Sequence, residues 1–141
     1  MRIWTMLLAV AILFALAACG DDSAGTPDIR VSIGGGSVTN YSTTDFGSIG
    51  SLSMVSNRVT LSNAGDALLT IGGLYCTQSN AAFSVNSSGF DLILSPGAST
   101  FFDVIFNEEE QVAGMYGIGV FFTCDDPDTP SWALAFTGVV N

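Results

Sequence analysis

The sequence predicts an all-β protein, a β-sandwich of about seven strands preceded by an N-terminal signal segment. Along most of the chain, β-branched and aromatic residues alternate with Ser, Thr and Gly, which is the period of a half-buried strand. Short apolar segments recur about every 8–12 residues between turns rich in Gly, Pro, Asn and Asp. No stretch beyond residue 27 has helical periodicity of useful length. The length of 141 residues suits one domain.

Four segments of the first half are predicted strands: residues 29–33, an extended edge segment at 45–50, residues 58–62 and residues 68–75. In the third of them Val59 and Leu61 share one face, while Arg58 points to the other. The fourth contains Gly72 and Gly73, so we expect a bulge or bend within it.

The second half continues the pattern. Its predicted strands are residues 82–85, 90–94, 100–106, 116–123 and a last strand around 132–136. Alternation selects a core from both sheets: Val59, Leu61, Leu69, Ile71, Phe102, Val104, Phe106, Val120, Phe122, Leu134 and Phe136. Burial of each such side chain contributes about 1.5–3 kcal/mol, so we expect a self-standing domain.

The charge composition excludes several function classes. The chain has 13 acidic residues against three arginines, no lysine and no histidine, a net charge of −10. Without histidine there is no Ser-His-Asp triad, no Cys-His pair and no His-ligated metal. Nucleic-acid binding is not expected, because phosphate neutralisation needs Lys and Arg. No cofactor is predicted.

The N-terminus has the order of features of an export signal. Arg2 precedes an apolar run that is shorter than the roughly 20 residues of a membrane-spanning helix, and the run ends in Leu16-Ala17-Ala18-Cys19. This tetrapeptide resembles the lipobox of bacterial lipoproteins. The resemblance implies cleavage before Cys19 and lipidation of its thiol. We therefore assign residues 1–18 to a signal peptide, 19–27 to the lipidated Cys and its tether, and 28–141 to the sandwich.

The resemblance also predicts the location. The mature chain would keep two arginines against all 13 acids, a side-chain charge of −11, so anionic lipid would repel it and the anchor must be the acyl chains on Cys19. Gly20 resembles the sorting class of outer-membrane lipoproteins. We expect a lipid-anchored protein of the bacterial cell envelope, with the outer membrane favoured and the membrane as one partner.

The turn and strand motifs of the body also form an ordered set. They are Asp45-Phe46-Gly47, the run 61–71 (LSNAGDALLTI), Phe83-Ser84-Val85, the run 94–99 (LSPGAS), the run 102–106 (FDVIF), the run 125–130 (DDPDTP) and Phe136-Thr137-Gly138. This order resembles the ASPM/SPD-2/Hydin (ASH) type of immunoglobulin-like domain, and in bacteria the choice-of-anchor D domains. The resemblance implies a seven-stranded immunoglobulin-like sandwich without catalytic activity. The run 108–110 (EEE) departs from it and is expected to be a solvated loop.

Cys76 and Cys124 allow two interpretations. Export to an oxidising compartment favours a disulfide. Their strands would be antiparallel neighbours with both cysteines at C-terminal ends, hence at opposite ends of the sheet, whereas a disulfide needs Cα atoms within about 7 Å. A bend at Gly72-Gly73 would redirect Cys76, so a disulfide and two separate thiols both stay open.

Three acids, Asp125, Asp126 and Asp128, are weak candidates for calcium ligands. Their spacing lacks the pattern of a calcium loop, and Asp and Pro are ordinary turn formers, so we expect a turn and no metal site. Tyr116, two residues after Gly114, is expected to form a tyrosine corner with a nearby backbone carbonyl.

Phe101, Ile105 and Phe121 are apolar residues that alternation places on the outside of the sheets. They are the candidates for a partner surface; the alternative is that loops or the N-terminal segment cover them. The leading hypothesis is a non-enzymatic envelope module that binds or scaffolds through protein–protein contact. The alternative is a calcium- or carbohydrate-binding surface module in which Trp132, Tyr41 or Tyr75 stacks on sugar.

Overall fold

The computed structural model describes residues 24–50, 53–78, 82–108 and 111–141. Within these ranges the chain forms eleven strands: β1 (Ile29–Ile33), β2 (Gly36–Ser37), β3 (Thr43–Ile49), β4 (Met54–Asn63), β5 (Leu69–Thr70), β6 (Tyr75–Gln78), β7 (Phe83–Asn86), β8 (Ile93–Leu94), β9 (Ser99–Asn107), β10 (Gly114–Thr123) and β11 (Ser131–Val140). The described ranges contain no helix, hence none that could cross a bilayer. The predicted all-β class is confirmed.

The strands form two facing layers and a small third sheet. The first sheet has the order β2-β1-β4-β9-β7, the second β3-β11-β10-β6, and β5 pairs with β8 alone. Neighbours are antiparallel, except that β3 runs parallel to β11 as an edge strand with an irregularity between Thr137 and Val139. This is a β-sandwich, and Asp45 and Gly47 lie in the edge strand where the sequence predicted an extended edge segment.

The core lies between the layers, as strand alternation predicted. All eleven core residues predicted from the sequence are buried. Phe46 connects the layers: from the second sheet its ring meets Phe83 and Phe106 of the first, with centroids 5.5 and 6.0 Å away in edge-on geometry. Phe83 and Phe106 stack on each other at 4.5 Å. Such aromatic pairs add to the stabilisation from burial.

One expectation about the strands was wrong. Residues 68–75 are not one bent strand, because β5 belongs to the small sheet and β6 to the second. The chain changes sheets at Gly72, whose N–H donates to the carbonyl of Thr123 at 2.7 Å. The sandwich has eleven strands where about seven were expected, because this split and the two-residue strands β2, β5 and β8 are counted separately. The segment 1–23, with Cys19 and the predicted signal peptide, lies outside the described residues.

Candidate functional site

The outer face of the second sheet carries a row of aromatic residues. Tyr75 of β6 lies directly opposite Phe121 of β10, and Phe121 lies opposite Ala133 of β11. Tyr41 continues the row from the turn before β3, since its N–H donates to the carbonyl of Ala133 at 2.8 Å. Neighbouring strands are about 4.8 Å apart, so the row crosses the sheet in about 15 Å. We call Tyr41, Tyr75, Phe121 and Ala133 the aromatic row.

Tyr41 is held in an unusual backbone conformation. Its φ is 63°, a left-handed value that is uncommon for a bulky residue other than glycine. Asn40 fixes it: its Oδ1 accepts from the N–H of Tyr41 at 3.0 Å and of Ala133 at 2.9 Å, while its Nδ2 donates to the carbonyl of Ser131 at 2.7 Å. The turn is therefore bound to β11, and the Tyr41 side chain, 76% exposed, is presented from a fixed backbone.

A groove of about 240 Å³ follows the aromatic row. Its lining includes Tyr41, Tyr75, Phe121, Thr123, Ser131 and Ala133. Ala133 leaves the space between the rings of Tyr41 and Phe121 open, because its methyl is the smallest side chain of the row. None of the residues that line this groove is charged. Its surface is thus apolar at the floor, with hydroxyl-bearing side chains around it.

Phe121 leans along the sheet over Gly119. A methyl at Gly119 would lie 2.8 Å from Cε2 of Phe121 and 2.9 Å from the hydroxyl of Thr77, so the ring occupies the space that a side chain would take. A second groove of about 360 Å³ continues along the same face over Thr77, Gly119, Ala135 and Thr137. Small residues on β10 and β11 therefore make a trough that extends from the aromatic row along the strands.

Trp132 does not belong to the exposed set, contrary to the stacking role proposed for it. It is buried, and its ring stacks on Phe122 with centroids 6.1 Å apart. The reason is alternation on β11, where Trp132 points inward with Leu134 while Ala133 points outward. Tyr41 and Tyr75, the other two residues of that hypothesis, are brought together with Phe121.

Phe101, Ile105 and Phe121 do not form one surface. All three point outward as expected, but Phe101 and Ile105 lie on β9 of the first sheet, whereas Phe121 lies on β10 of the second. The outer faces of two packed sheets point in opposite directions. Phe101, 37% exposed, is also covered by Arg58, whose guanidinium lies 3.8 Å from the ring centroid. Arg58 in turn pairs with Asp103 through two hydrogen bonds.

The acidic turn is structural. Asp126 is buried, and its carboxylate accepts from four donors: Ile29 N at 2.9 Å, Asp128 N at 2.8 Å, Thr129 N at 3.3 Å and Thr129 Oγ1 at 3.1 Å. Burial alone would raise the pKa of Asp126, but these hydrogen bonds outweigh it and lower the pKa.

The other two acids of this turn point elsewhere. Asp125 Oδ1 accepts from Thr70 N at 2.8 Å, and Asp128 is exposed. Within the described residues, no group of three metal-ligating side chains is brought together.

Cys76 and Cys124 are free thiols in the structure. Cys76 of β6 lies opposite Val120 of β10, and Cys124 lies four residues further along that chain, opposite Ile71. Four extended residues span about 13 Å, well beyond disulfide reach. Burial raises the pKa of both thiols. The antiparallel pairing of their strands was predicted. The placement at opposite ends of the sheet was wrong, because the strand restarts at Tyr75 and Cys76 lies near the start of β6. The bend at Gly72-Gly73 does not bring Cys76 to Cys124.

Of two predictions made near residues 108–110, the tyrosine corner was right and the solvated position of Glu108 was wrong. The Tyr116 hydroxyl donates to the carbonyl of Val112, which confirms the tyrosine corner. Glu108, expected in a solvated loop, is buried, because its N–H donates to Ser53 and its carbonyl accepts from Gln111, folding the start of the loop onto the sandwich.

Asn63 is the structural residue that the sequence analysis missed. Its buried side chain donates to the carbonyls of Ala67 at 2.7 Å and Leu94 at 3.0 Å, and accepts from Gly65 N at 3.0 Å and Asp28 N at 3.4 Å. Three chain segments thus meet on one amide: its own turn, the residue before β1 and the end of β8. The signal was present in Asn63-Ala64-Gly65-Asp66, but a turn-forming Asn and a buried amide look alike in sequence.

An aliphatic surface lies on the small third sheet. Leu69 and Leu94 point into the core, while Thr70 and Ile93 form the adjacent outward pair. Leu68, directly before β5, and Ile93 of β8 are both more than half exposed. We call these two residues the aliphatic surface.

The fold is similar to those of solved structures. The ASH/PapD-like domain of human CEP192 (PapD-like domain 7) superposes with a TM-score of 0.55 over 79% of this chain and 84% of that chain, at 15% identity. A protein of unknown function from Porphyromonas gingivalis W83 superposes with a TM-score of 0.52 over 79% of this chain and 46% of that chain, at 16% identity. The present chain thus spans less than half of that protein.

No protein-family model matches the chain, and no curated protein matches it. At identities this low the similarity concerns the fold alone. It agrees with the immunoglobulin-like sandwich that the sequence resemblance implied. The chain therefore has an immunoglobulin-like fold whose structural neighbours include an ASH/PapD-like domain.

Proposed function

We propose that this protein is a non-enzymatic, lipid-anchored module of the bacterial cell envelope that binds or scaffolds another envelope protein by direct contact. The immunoglobulin-like, PapD-like fold is compatible with an interaction module. The observation that carries the proposal is the aliphatic surface, in which Leu68, directly before β5, and Ile93 of β8 are both more than half exposed. Exposed apolar side chains grouped on one face are typical of protein contacts.

The absence of enzymatic activity is part of the proposal. Among the residues that the structure describes, the buried acids are Glu108 and Asp126. Both carboxylate oxygens of Asp126 accept hydrogen bonds, from backbone N–H groups and from the Thr129 hydroxyl. A carboxylate used in this way holds a turn and is not free to transfer protons. Asp126 is thus assigned to stability, while the exposed apolar residues are assigned to binding.

The lipid anchor is supported by Leu16-Ala17-Ala18-Cys19. Growth with an alkyne-bearing palmitate analogue tests it: we expect labelling of the full chain to be lost in Cys19→Ser and retained in Cys76→Ser. Unchanged labelling of Cys19→Ser would contradict the anchor. Fractionation of the labelled protein between inner and outer membrane then tests the outer-membrane expectation.

The protein contact is tested on the lipidated full chain, purified from its own envelope after cross-linking. The double variant Leu68→Asp/Ile93→Asp places two charges on the aliphatic surface, and we expect it to lose the cross-linked partner. The control Val112→Asp changes an exposed apolar residue outside that surface and should keep it. Equal capture by both variants would contradict the assignment of this surface.

The alternative, a calcium- or carbohydrate-binding module, divides into two. The calcium part has no support from the acidic turn, where Asp125 and Asp126 accept hydrogen bonds from the backbone. We expect the melting temperature of the protein to be the same with Ca²⁺ and with a chelator. The carbohydrate part is favoured by a specific observation, the convergence of Tyr41, Tyr75 and Phe121 on one groove.

A further inference from the structure

We infer that the aromatic row is a binding site for a neutral saccharide chain, whose sugar rings lie on Tyr41, Phe121 and Tyr75 and along the trough beside them. This site rests on the carbohydrate alternative of the proposed function and specifies its ligand class, and it depends neither on the anchor nor on the aliphatic surface. Those two features are in the N-terminal segment and on the small sheet, whereas the aromatic row is on the outer face of the second sheet.

The exposed rings of the aromatic row have the chemistry that binds sugar faces. Tyr41 and Tyr75 are 76% and 67% exposed, and Phe121 is 39% exposed, although aromatic side chains of this size are usually buried. The face of an aromatic ring carries negative potential, which attracts polarised C–H groups. A pyranose ring offers such C–H groups on its faces and hydroxyls around its edge, so it matches rings that are surrounded by polar atoms.

The groove also has a polar surround. The phenol groups of Tyr41 and Tyr75 and the side chains of Thr123 and Ser131 place hydroxyl-bearing residues around a floor made by Phe121 and Ala133. Hydroxyls both donate and accept, as sugar hydroxyls do. An aliphatic protein side chain would use the floor and leave these groups without partners, which disfavours it.

The charge of the groove and of the whole chain favours a neutral ligand. No charged residue lines the groove or its extension, and the chain as a whole carries −10. An anionic polysaccharide would be repelled without an arginine or lysine to compensate. A second copy of this chain would bring a second net charge of −10 close to the first. A neutral ligand avoids both costs.

The site is also preorganised and limited in size. The hydrogen bonds of Asn40 hold the backbone of Tyr41, and Gly119 gives the Phe121 ring its position. Binding therefore requires little ordering of the site. The groove of about 240 Å³ is below the roughly 300–1,000 Å³ of drug-sized ligand pockets, which suits one ring. The adjoining groove of about 360 Å³ accommodates further rings along the strands.

The experiment titrates the purified full-length chain in detergent with defined saccharides by isothermal calorimetry. The probes are glucose, cellohexaose, maltohexaose and chitohexaose, with polygalacturonate as the anionic comparison. We expect at least one neutral hexaose to bind with a Kd between about 10 μM and 1 mM, and more tightly than glucose, since the trough extends beyond one ring. Polygalacturonate should not bind.

Variants then test the residues. Tyr41→Ala and Tyr75→Ala each remove an exposed ring, and we expect each to weaken binding by about 3- to 10-fold. Ala133→Leu fills the space between the rings, and Gly119→Ala displaces Phe121, so both should weaken it by at least about 10-fold. Met115→Ala alters an exposed residue at the far end of β10 and should bind as the unmodified chain does. Circular dichroism checks that each variant is folded.

Three results would overturn the inference. The first is that no neutral hexaose binds below about 10 mM. The second is that folded Tyr41→Ala and Tyr75→Ala variants bind as tightly as the unmodified chain. The third is that sedimentation shows self-association abolished by Ala133→Leu, which would assign the groove to a second copy. None of these measurements involves Cys19 or the aliphatic surface, so they are separate from the tests of the proposed function.

Discussion

Substitution of Asp126 by Asn should destabilise the sandwich strongly, although it leaves the shape of the side chain unchanged. Asp126 is 3% exposed, and two donors meet each carboxylate oxygen. In Asn an amide NH₂ group replaces one of the two carboxylate oxygens, so this group must face two of the four donors. It will face Ile29 N and Thr129 Oγ1, because the hydroxyl can rotate to accept whereas the backbone N–H groups of Asp128 and Thr129 cannot.

The magnitude follows from that geometry. The buried N–H of Ile29 loses its acceptor, which costs about 1–3 kcal/mol. The remaining bonds lose the strengthening that a charged acceptor provides, at about 1 kcal/mol more. We expect the free energy of unfolding to fall by about 2–4 kcal/mol. At about 4 °C per kcal/mol for a domain of this size, the melting temperature should fall by about 8–16 °C.

The pH dependence supplies a second readout. The pKa of Asp126 is lowered in the folded state, so the charged form is the one that the fold stabilises. This contribution is fully present above the unfolded pKa of about 3.9 and is lost as the pH falls below it. The difference in the free energy of unfolding between the unmodified chain and Asp126→Asn should therefore be constant above about pH 5. It should shrink as the pH falls below that.

Urea denaturation followed by circular dichroism across this pH range measures both quantities. Asp128→Asn is the matched control: it removes the same charge from an exposed carboxyl in the same turn, and we expect less than about 0.5 kcal/mol of change. The reasoning is refuted if Asp126→Asn is as stable as Asp128→Asn. It is also refuted if the stability difference does not change with pH.

Three further predictions concern other parts of the fold. Asn63→Asp places a carboxylate against two carbonyl oxygens. Urea denaturation at pH 7 should therefore show a free energy of unfolding lower by about 3–5 kcal/mol. A stability equal to that of the unmodified chain would contradict the hydrogen bonds assigned to the Asn63 amide. Gly138→Ala would place a methyl against the buried ring of Phe106, and the same measurement should show a free energy of unfolding lower by about 1–3 kcal/mol. In the control Gly73→Ala the methyl meets nothing within 4 Å, so the free energy of unfolding should change by less than about 0.5 kcal/mol. Equal effects of the two substitutions would be inconsistent with this packing. Cys76 and Cys124 should both react with iodoacetamide without reductant. The reaction should still accelerate above pH 9.0, because burial raises the pKa of each thiol above that ordinary value. A requirement for reductant would reveal a disulfide.

Local alternation was sufficient to predict most strands and the side that each presents to the core. Phe102, Val104 and Phe106 are buried as expected, and Phe101 points outward. A strand has a period of two, so six residues of sequence already decide which side chains share a face. The antiparallel pairing of β6 with β10 was also predicted, although only after the sandwich order had been inferred from the resemblance.

The change of sheets at Gly72 could not be predicted in the same way. Sequence shows an apolar run interrupted by two glycines, and this pattern is the same for a bulge within a strand and for a crossing between sheets. The difference depends on the contact of Gly72 with Thr123, 51 residues away. Local periodicity carries no information about such a contact.

The sequence alone therefore specified the all-strand character, the inward and outward faces, the acidic charge and the Leu16-Ala17-Ala18-Cys19 motif, because each is a property of residues near one another in the chain. Tertiary structure alone decided that Asp126 joins β1 to the last turn, that Asn63 joins three segments, and that Tyr41 and Tyr75 meet at Phe121. These arrangements depend on which strands become neighbours, and that choice is made by the packing of the whole core.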